Sequence, residues 1–433
     1  MITYKSPIEL NTQLDYVNNH LYNRLLNPLF WAPLKNSLKL LRGKGPIIFA
    51  RSSTATYIDL YGVLKNVSVD QPRFEKEGLL MEGSSINEFI NSENLSDTTY
   101  WVRIGLSDVT QTGANVGIDS TNNFFKIIED TSTGTHQLKQ DISFSSGTDI
   151  TISFFIHSNN SRNLEVLIED LSSSGNIDVY LNLSNMTIQS VSEGGSFSNV
   201  SVNILNIRDN IYRVIISGDN TTTSQVRVHY LLLNSSFIAS YTGDGNSHVE
   251  IEKPQLEQKP FATSYIPTTT ASATRNPDIC YVTYESNAPN ILAGNRFSMA
   301  CDFKLLGANL PVYDRRILGN EYYDPKNNFF ILRDTSNLYY KRIVGKLISN
   351  INALSTYRII VTMDSNESIK VYLNGVKEKE FTQNLTATFI TATKIAIGCR
   401  EDNVEQLYGH ISNVKIWDFV LSEQEVEIIS GSF

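Results

Sequence analysis

Polar and apolar residues alternate with a period of two along most of this chain, the spacing of a half-buried β-strand rather than a helix. The pattern is strongest in residues 91–253. Thr151-Ile152-Ser153-Phe154-Phe155-Ile156 forms one run. Leu164, Val166 and Ile168 share one face with Glu165 opposite, and Ile177, Val179 and Leu181 alternate with Asp178 and Tyr180. Tyr212 to Ile216 and Val226 to Leu233 extend the series, and Ser/Asn/Gly turns at 172–176 and 192–196 separate its members. Short strands at this spacing predict a β-sandwich. Residues 285–430 repeat the style, with strands predicted from Phe297 to Phe303, Phe329 to Leu332, Tyr357 to Val361, Ile369 to Leu373 and Lys394 to Gly398. Leu373-Asn374-Gly375-Val376 reads as a hairpin turn, because Asn-Gly readily takes the positive φ angles required. Ser422-Glu423-Gln424-Glu425 has the spacing of a capping box and opens a short C-terminal helix. Tyr212-Arg213-Val214-Ile215-Ile216 is echoed by Tyr357-Arg358-Ile359-Ile360-Val361, as two related sandwiches would produce.

Residues 1–45 follow a different period. Leu10, Leu14, Val17, Leu21 and Leu25 recur at helical spacing; Pro28 and Pro33 interrupt them, and Leu38, Leu40 and Leu41 precede Arg42-Gly43-Lys44-Gly45. This predicts one or two short helices ending at the glycine-rich stop. So much leucine, with Phe30 and Trp31, cannot bury itself within one short segment. It needs either the following domain or another subunit as a partner, which makes Leu21, Leu25, Phe30 and Trp31 candidate docking residues. Residues 46–90 hold short apolar runs broken by Gly and Pro, as in a connector. The expected organisation is a helical anchoring segment at 1–45, a connector with short strands at 46–90, a β-sandwich with its exit linker at 91–278, and a second sandwich with a short helix at 279–433. The fold class is mainly β, with tandem sandwiches.

Composition narrows the function. The chain has 433 residues, 41% hydrophobic and 19% charged, with a formal net charge of -9; it can therefore bury substantial cores, and it lacks the basic face of a nucleic-acid binder. Cys280, Cys301 and Cys399 have no metal-ligand spacing and read as buried filler. No charged start followed by an apolar run suggests a secretory signal, and no stretch is long and apolar enough to insert in a membrane. His20, His136, His157, His229, His248 and His410 are scattered, and His410 reads as structural. There is no nucleophile elbow and no phosphate-binding loop. The acidic pairs Glu169-Asp170 and Glu401-Asp402 fall in predicted turns rather than facing each other as glycosidase carboxylates must. These absences lead to the expectation that the chain is not an enzyme and uses no cofactor. The acidic turns at 364–366 and 219–220 lack EF-hand spacing, so a structural calcium ion is unsupported. Sugar binding needs exposed aromatic faces with planar polar groups. The richest such cluster is Tyr313, Arg315, Arg316, Tyr322, Tyr323 and Asp324, followed by Tyr339 and Tyr340, and a subunit contact would explain it as well as a glycan.

The segment Phe49-Ala50-Arg51-Ser52-Ser53-Thr54-Ala55-Thr56-Tyr57-Ile58-Asp59, with Pro72-Arg73-Phe74 and Gly78-Leu79-Leu80-Met81-Glu82-Gly83, resembles the opening of bacteriophage virion proteins of the tail-fibre or tail-appendage type. Asn91 to Trp101 resembles the family's lead into a jelly roll like those of carbohydrate-binding modules. Pro254-Gln255-Leu256-Glu257 and Ser264-Tyr265-Ile266-Pro267-Thr268 resemble its exit, and Ala273-Thr274-Arg275 the hand-over. Tyr372-Leu373-Asn374-Gly375 and Gly409 to Asp418 are similar to the concanavalin A-like, or laminin G-like, fold. The resemblance implies two jelly-roll-type sandwiches in a virion protein that adheres to host-surface glycans through many weak sites. It also implies other virion proteins as partners of the N-terminal segment, and a homo-oligomer, with a trimer favoured by analogy with fibres. A purely structural decoration or connector protein is the alternative, and a carbohydrate-active enzyme the third reading.

Overall fold

The computed structural model describes residues 25, 27–111, 116–145, 147–158, 161–172, 174–283, 296–307, 315–319, 330–333, 337–339, 346–348, 351–366, 368–382, 394–399 and 406–431. The chain forms two compact units, each assembled from separated segments: a central unit of Arg51–Gln71 with Ser84–Pro277, and a flanking unit of Met1–Ala50, Pro72–Gly83 and Asp278–Phe433. Residues 46–90 are thus divided between the units, the chain changing unit after residues 50, 71 and 83.

The central unit pairs a six-stranded sheet with a seven-stranded one. The period-two pattern produces this directly. Leu164, Val166, Ile168, Ile177, Val179 and Leu181 are fully buried, and they join Ile152, Phe154, Val228 and Tyr230 in one core. Trp101 is stacked on Phe89 with ring centroids 5.4 Å apart, and its indole N–H donates to the Asn91 carbonyl at 3.1 Å. Buried polar side chains hold the exit segment to itself, to Asn87 and to the lead. Asn87 donates to the Ile266 carbonyl at 2.8 Å, Gln255 accepts the Ile266 N–H at 2.7 Å, and the Tyr265 hydroxyl lies 2.7 Å from Ser92 Oγ. Each of these buried groups finds a partner, as burial requires. One predicted turn is displaced: the strand Thr187–Gly195 runs through 192–195, and the chain reverses only at Ser196. Glu169 and Asp170 likewise close the strand Asn163–Asp170 instead of lying in a turn.

The flanking unit stacks an eight-stranded sheet on a seven-stranded one. Its core includes the buried thiols of Cys280, Cys301 and Cys399. The capping box is present as expected: Ser422 accepts from the Glu425 N–H, and the Glu425 side chain accepts at the Ser422 N–H, opening the helix Glu423–Ser430. Asn374 and Gly375 have φ of 49° and 85°, the predicted hairpin turn. The N-terminal prediction holds at Leu25, which is helical, and fails beyond it. Phe30–Ala32 is a strand, paired antiparallel with Gly409–Trp417 so that Phe30 faces Ile416 and Ala32 faces Val414. No helix follows it before the glycine-rich stop among the described residues. Flanking prolines bar a helix there, and alternation buries Phe30 and Ala32 while leaving Trp31 on the other side. The predicted helix over Leu10, Leu14, Val17 and Leu21 lies outside the described residues. No described helix is long and apolar enough to cross a membrane.

Within this unit, the hairpin at 72–83 is held by charge. Arg73, Glu82 and Asp278 are each fully buried. Arg73 donates to Glu82 Oε2 at 2.6 Å and to Asp278, and Asp278 also accepts the Glu82 backbone N–H at 2.8 Å. Burial opposes the charge on the Arg73 guanidinium, but the two carboxylates outweigh it and keep the group ionised.

Candidate functional site

The seven-stranded sheet of the central unit has an outward face whose side chains are not those of an ordinary solvated surface. Its strands Gly175–Asn182, Asn163–Asp170, Gln225–Leu233 and Thr133–Ser143 are aligned side by side. Alternation sends Val166, Val179 and Tyr230 inward, so the residues between them form cross-strand rows outside. One row runs Tyr180, Glu165, Leu231, Gln137 and Ile104; the next runs Asp178, Leu167, His229, Lys139 and Val102. A third holds Asn176, Glu169, Arg227 and Asp141.

Several of these outward groups are nevertheless buried by their neighbours: Glu165, Leu231 and His229 are each only 6% exposed. His229 Nδ1 lies 2.6 Å from Gln137 Oε1, and its Nε2 lies 3.3 Å from Glu169. Arg227 clamps Asp141 through two nitrogens at 2.5 and 2.7 Å, a bidentate pair that closes one end of the face. Toward the other end, Glu165 stands directly across from Tyr180, and Asp178 accepts from Asn176 and from Ser192 at 3.3 Å. Neither carboxylate forms an ion pair with a cation among the described residues.

The electrostatics follow from this arrangement. Burial raises the Glu165 carboxyl above the ordinary value and the charge of Asp178 raises it further, against the Tyr180 hydrogen bond. Burial likewise raises Asp178, opposed by Ser192 and Asn176. Glu165 faces Tyr180 directly and Asp178 diagonally, a separation of about 7–8 Å between backbones. Burial lowers the His229 imidazole, with the Glu169 bond working against it. Such a face offers one aromatic edge, carboxylate acceptors and an amide to a hydroxylated ligand, and it holds two carboxylates with raised proton affinity side by side.

The residues expected to form a site fare differently. Arg315 and Arg316 begin the strand Arg315–Gly319 of the flanking unit, facing Leu332 and Ile331; their side chains, with all of Tyr322, Tyr323 and Asp324, lie outside the described residues. Leu21 lies outside them also. Leu25 is buried with Ala300, Ile360 and Trp417, whose indole N–H donates to the Leu25 carbonyl at 3.4 Å. Phe30 is fully buried in the core of its own unit. Leu25 and Phe30 are therefore packed on their own unit and removed from the docking surface expected of them. Trp31 keeps part of its surface, with the Lys415 ammonium 4.4 Å from its ring centroid. Glu165, Asp178 and Tyr180 were legible only as the polar positions of alternating strands. The available hint was that those positions carry carboxylates and an aromatic ring instead of serine and lysine.

Residues 290–427 match the family model described as the concanavalin A-like lectin/glucanases superfamily. That stretch, about a third of the chain, is similar to a concanavalin A-like domain. No curated protein matches the chain. Among solved structures, a heptameric SAP-like pentraxin from Limulus polyphemus is similar at 16% identity over 31% of this chain and 70% of that chain, with a TM-score of 0.23. Domain 4 of a GH43 extracellular arabinanase from Geobacillus stearothermophilus, in complex with arabinotriose, is similar at 16% identity over 40% of this chain and 81% of that one, with a TM-score of 0.25. Trypanosoma rangeli sialidase with the inhibitor DANA is similar at 8% identity over 89% and 78%, with a TM-score of 0.28. The expectation that the chain is not an enzyme is corrected by the family match. Its description spans lectins and glucanases, and a fold shared by both classes excludes neither.

Proposed function

We propose that this protein recognises carbohydrate, and does so as a fibre or tail-appendage subunit of a phage particle that holds host-surface glycans. The outward face at Glu165, Tyr180, Asp178 and His229 carries the glycan reading, because it sets an aromatic edge among buried acceptors that a sugar's hydroxyls can satisfy. The concanavalin A-like domain supports the same class of ligand. The virion assignment draws its support from the sequence resemblance at 48–83 and 251–275. In an oligomer, with a trimer favoured, weak sites repeated by symmetry would gain avidity without any single tight contact.

Glycan-array binding tests this, with Tyr180→Ala and Glu165→Gln as probes. Wild type is expected to bind a defined set of glycans, and each variant to lose tenfold or more while keeping its circular dichroism. A wild type that binds no glycan or host cell overturns the adhesive reading and leaves a decoration or connector protein. One observation favours a second reading. Glu165 and Asp178 are neighbouring carboxyl groups, and glycoside hydrolysis needs such a pair with one member holding its proton and the other ionised. Product analysis after incubation with bound glycans decides it: turnover abolished by Asp178→Asn makes the face catalytic, and intact glycan makes it a binding face.

A further inference from the structure

Far from the face described above in sequence, and in the flanking unit, a histidine and two glutamates converge on one point. We propose that Glu75, Glu77 and His410 form a binding site for a zinc-class divalent metal ion. The ligating atoms of these residues all lie within 4.8 Å of one another.

The backbone builds this arrangement from a tight hairpin. Phe74–Glu75 pairs with Gly78–Met81 across the turn at Lys76-Glu77, and the second strand pairs in turn with Gly409–Trp417, Leu80 facing His410. Gly78 makes the approach close. Its φ is 139°, and a Cβ there would sit 2.6 Å from the Ile411 carbonyl oxygen and 2.8 Å from Ser412 Cβ. The turn therefore lies directly against the strand that carries His410. Ile411 points into the core, so His410 points to the opposite side of the sheet, where Glu75 and Glu77 stand.

His410 is 3% exposed, and its Nε2, 2.8 Å from Glu75 Oε2, is the nitrogen turned to the carboxylates, while its Nδ1 has no hydrogen-bond partner among the described residues. The carboxylates remain reachable, with side chains 17% exposed for Glu75 and 25% for Glu77. One nitrogen and two carboxylate oxygens suit zinc and its neighbours, whose bonds to such donors run about 2.0–2.2 Å. Calcium requires about six to eight oxygens and is poorly served by an imidazole. Three protein donors leave a further position for water.

Lys304 makes the site testable. Its ammonium lies 2.7 Å from Glu77 Oε1, so it neutralises that carboxylate and competes with a metal ion for it. If the cluster were only an ion-pair staple, removing Lys304 would weaken the edge and do nothing else. If it binds metal, removing Lys304 frees a ligand.

The experiment is titration calorimetry of chelator-treated full-length protein with ZnCl2, alongside Co2+ absorption spectra and a CaCl2 control. Wild type is expected to take one zinc ion at this site with roughly micromolar affinity and to give visible Co2+ bands. Glu77→Gln, on the turn, and Glu75→Gln, at the end of the strand before it, both partly exposed, are expected to weaken binding tenfold or more with unchanged circular dichroism. Lys304→Met is expected to tighten it. The proposal is overturned if wild type takes up no zinc, if calcium binds and zinc does not, or if the folded Glu75→Gln/Glu77→Gln double variant binds zinc as wild type does.

Discussion

Glu252 should make the central unit lose stability as pH rises through neutrality. The residue is 2% exposed on the strand His248–Glu257. Its Oε1 accepts the Ile118 backbone N–H, and its Oε2 packs so closely on Gly117 that a Cβ there would be 2.6 Å away. Burial pushes its carboxyl from the ordinary 4.5 up to about 7, and the nearby Asp119 and Glu93 charges push the same way, against Lys253 and the Ile118 N–H. Lys253 offers limited relief because its ammonium is committed to Glu93 at 3.4 Å and to Asp119 at 3.3 Å. An acid with a raised folded-state pKa binds its proton more tightly in the native protein. Its stabilising contribution is complete below about pH 4.5 and is lost as pH climbs through about 7. At 1.36 kcal/mol per pH unit, the shift is worth about 3 kcal/mol. Glu252→Gln keeps the acceptor for Ile118 and removes the titration. Urea-dependent hydrogen exchange of peptides covering residues 150–157 reads this unit separately. The stability of the variant relative to wild type should rise by about 3 kcal/mol between pH 4.5 and 8. A difference that stays constant within about 0.5 kcal/mol over that range would refute the reasoning.

Other outcomes follow from buried charge and close packing. Arg73→Met leaves Glu82 and Asp278 buried without their cation and should cost about 3–5 kcal/mol, read as lost exchange protection in the strand Ile279–Thr283. Gly78→Ala places a methyl group against the Ile411 carbonyl at positive φ and should destabilise the same unit by about 1–3 kcal/mol in urea unfolding, while a surface Gly→Ala at Gly194, where a Cβ meets nothing, should not. His229, held below its ordinary value by burial, should stay neutral in an NMR titration down through pH 6.5. Because the unfolded chain takes up its proton first, the stability tied to His229 is full above pH 6.5 and falls as the pH drops below it, and His229→Gln should flatten that fall.

The residues that fixed strand existence could be read in order along the chain. Leu164, Val166 and Ile168 need one buried face whatever their partners, and Asn374-Gly375 and Ser422 to Glu425 carry their turn and cap chemistry locally. That is why the β class, the hairpin and the C-terminal helix were all legible. Phe30 was not, because its strand exists only through pairing with Ile416, and a local pattern of leucines and prolines cannot report a partner nearly the whole chain away. The same limit governs chemistry. Alternation alone placed Glu165, Asp178 and Tyr180 outward, but register decided that they share one face with His229 and Gln137. His410 read as structural among scattered histidines, and its carboxylate neighbour Glu75 is 335 residues away. Sequence determined where the chain buries apolar side chains, since hydrophobic periodicity acts within each strand. Tertiary structure alone decided which polar groups meet, since strand register and the close approach at Gly78 are set by packing between segments distant in the chain.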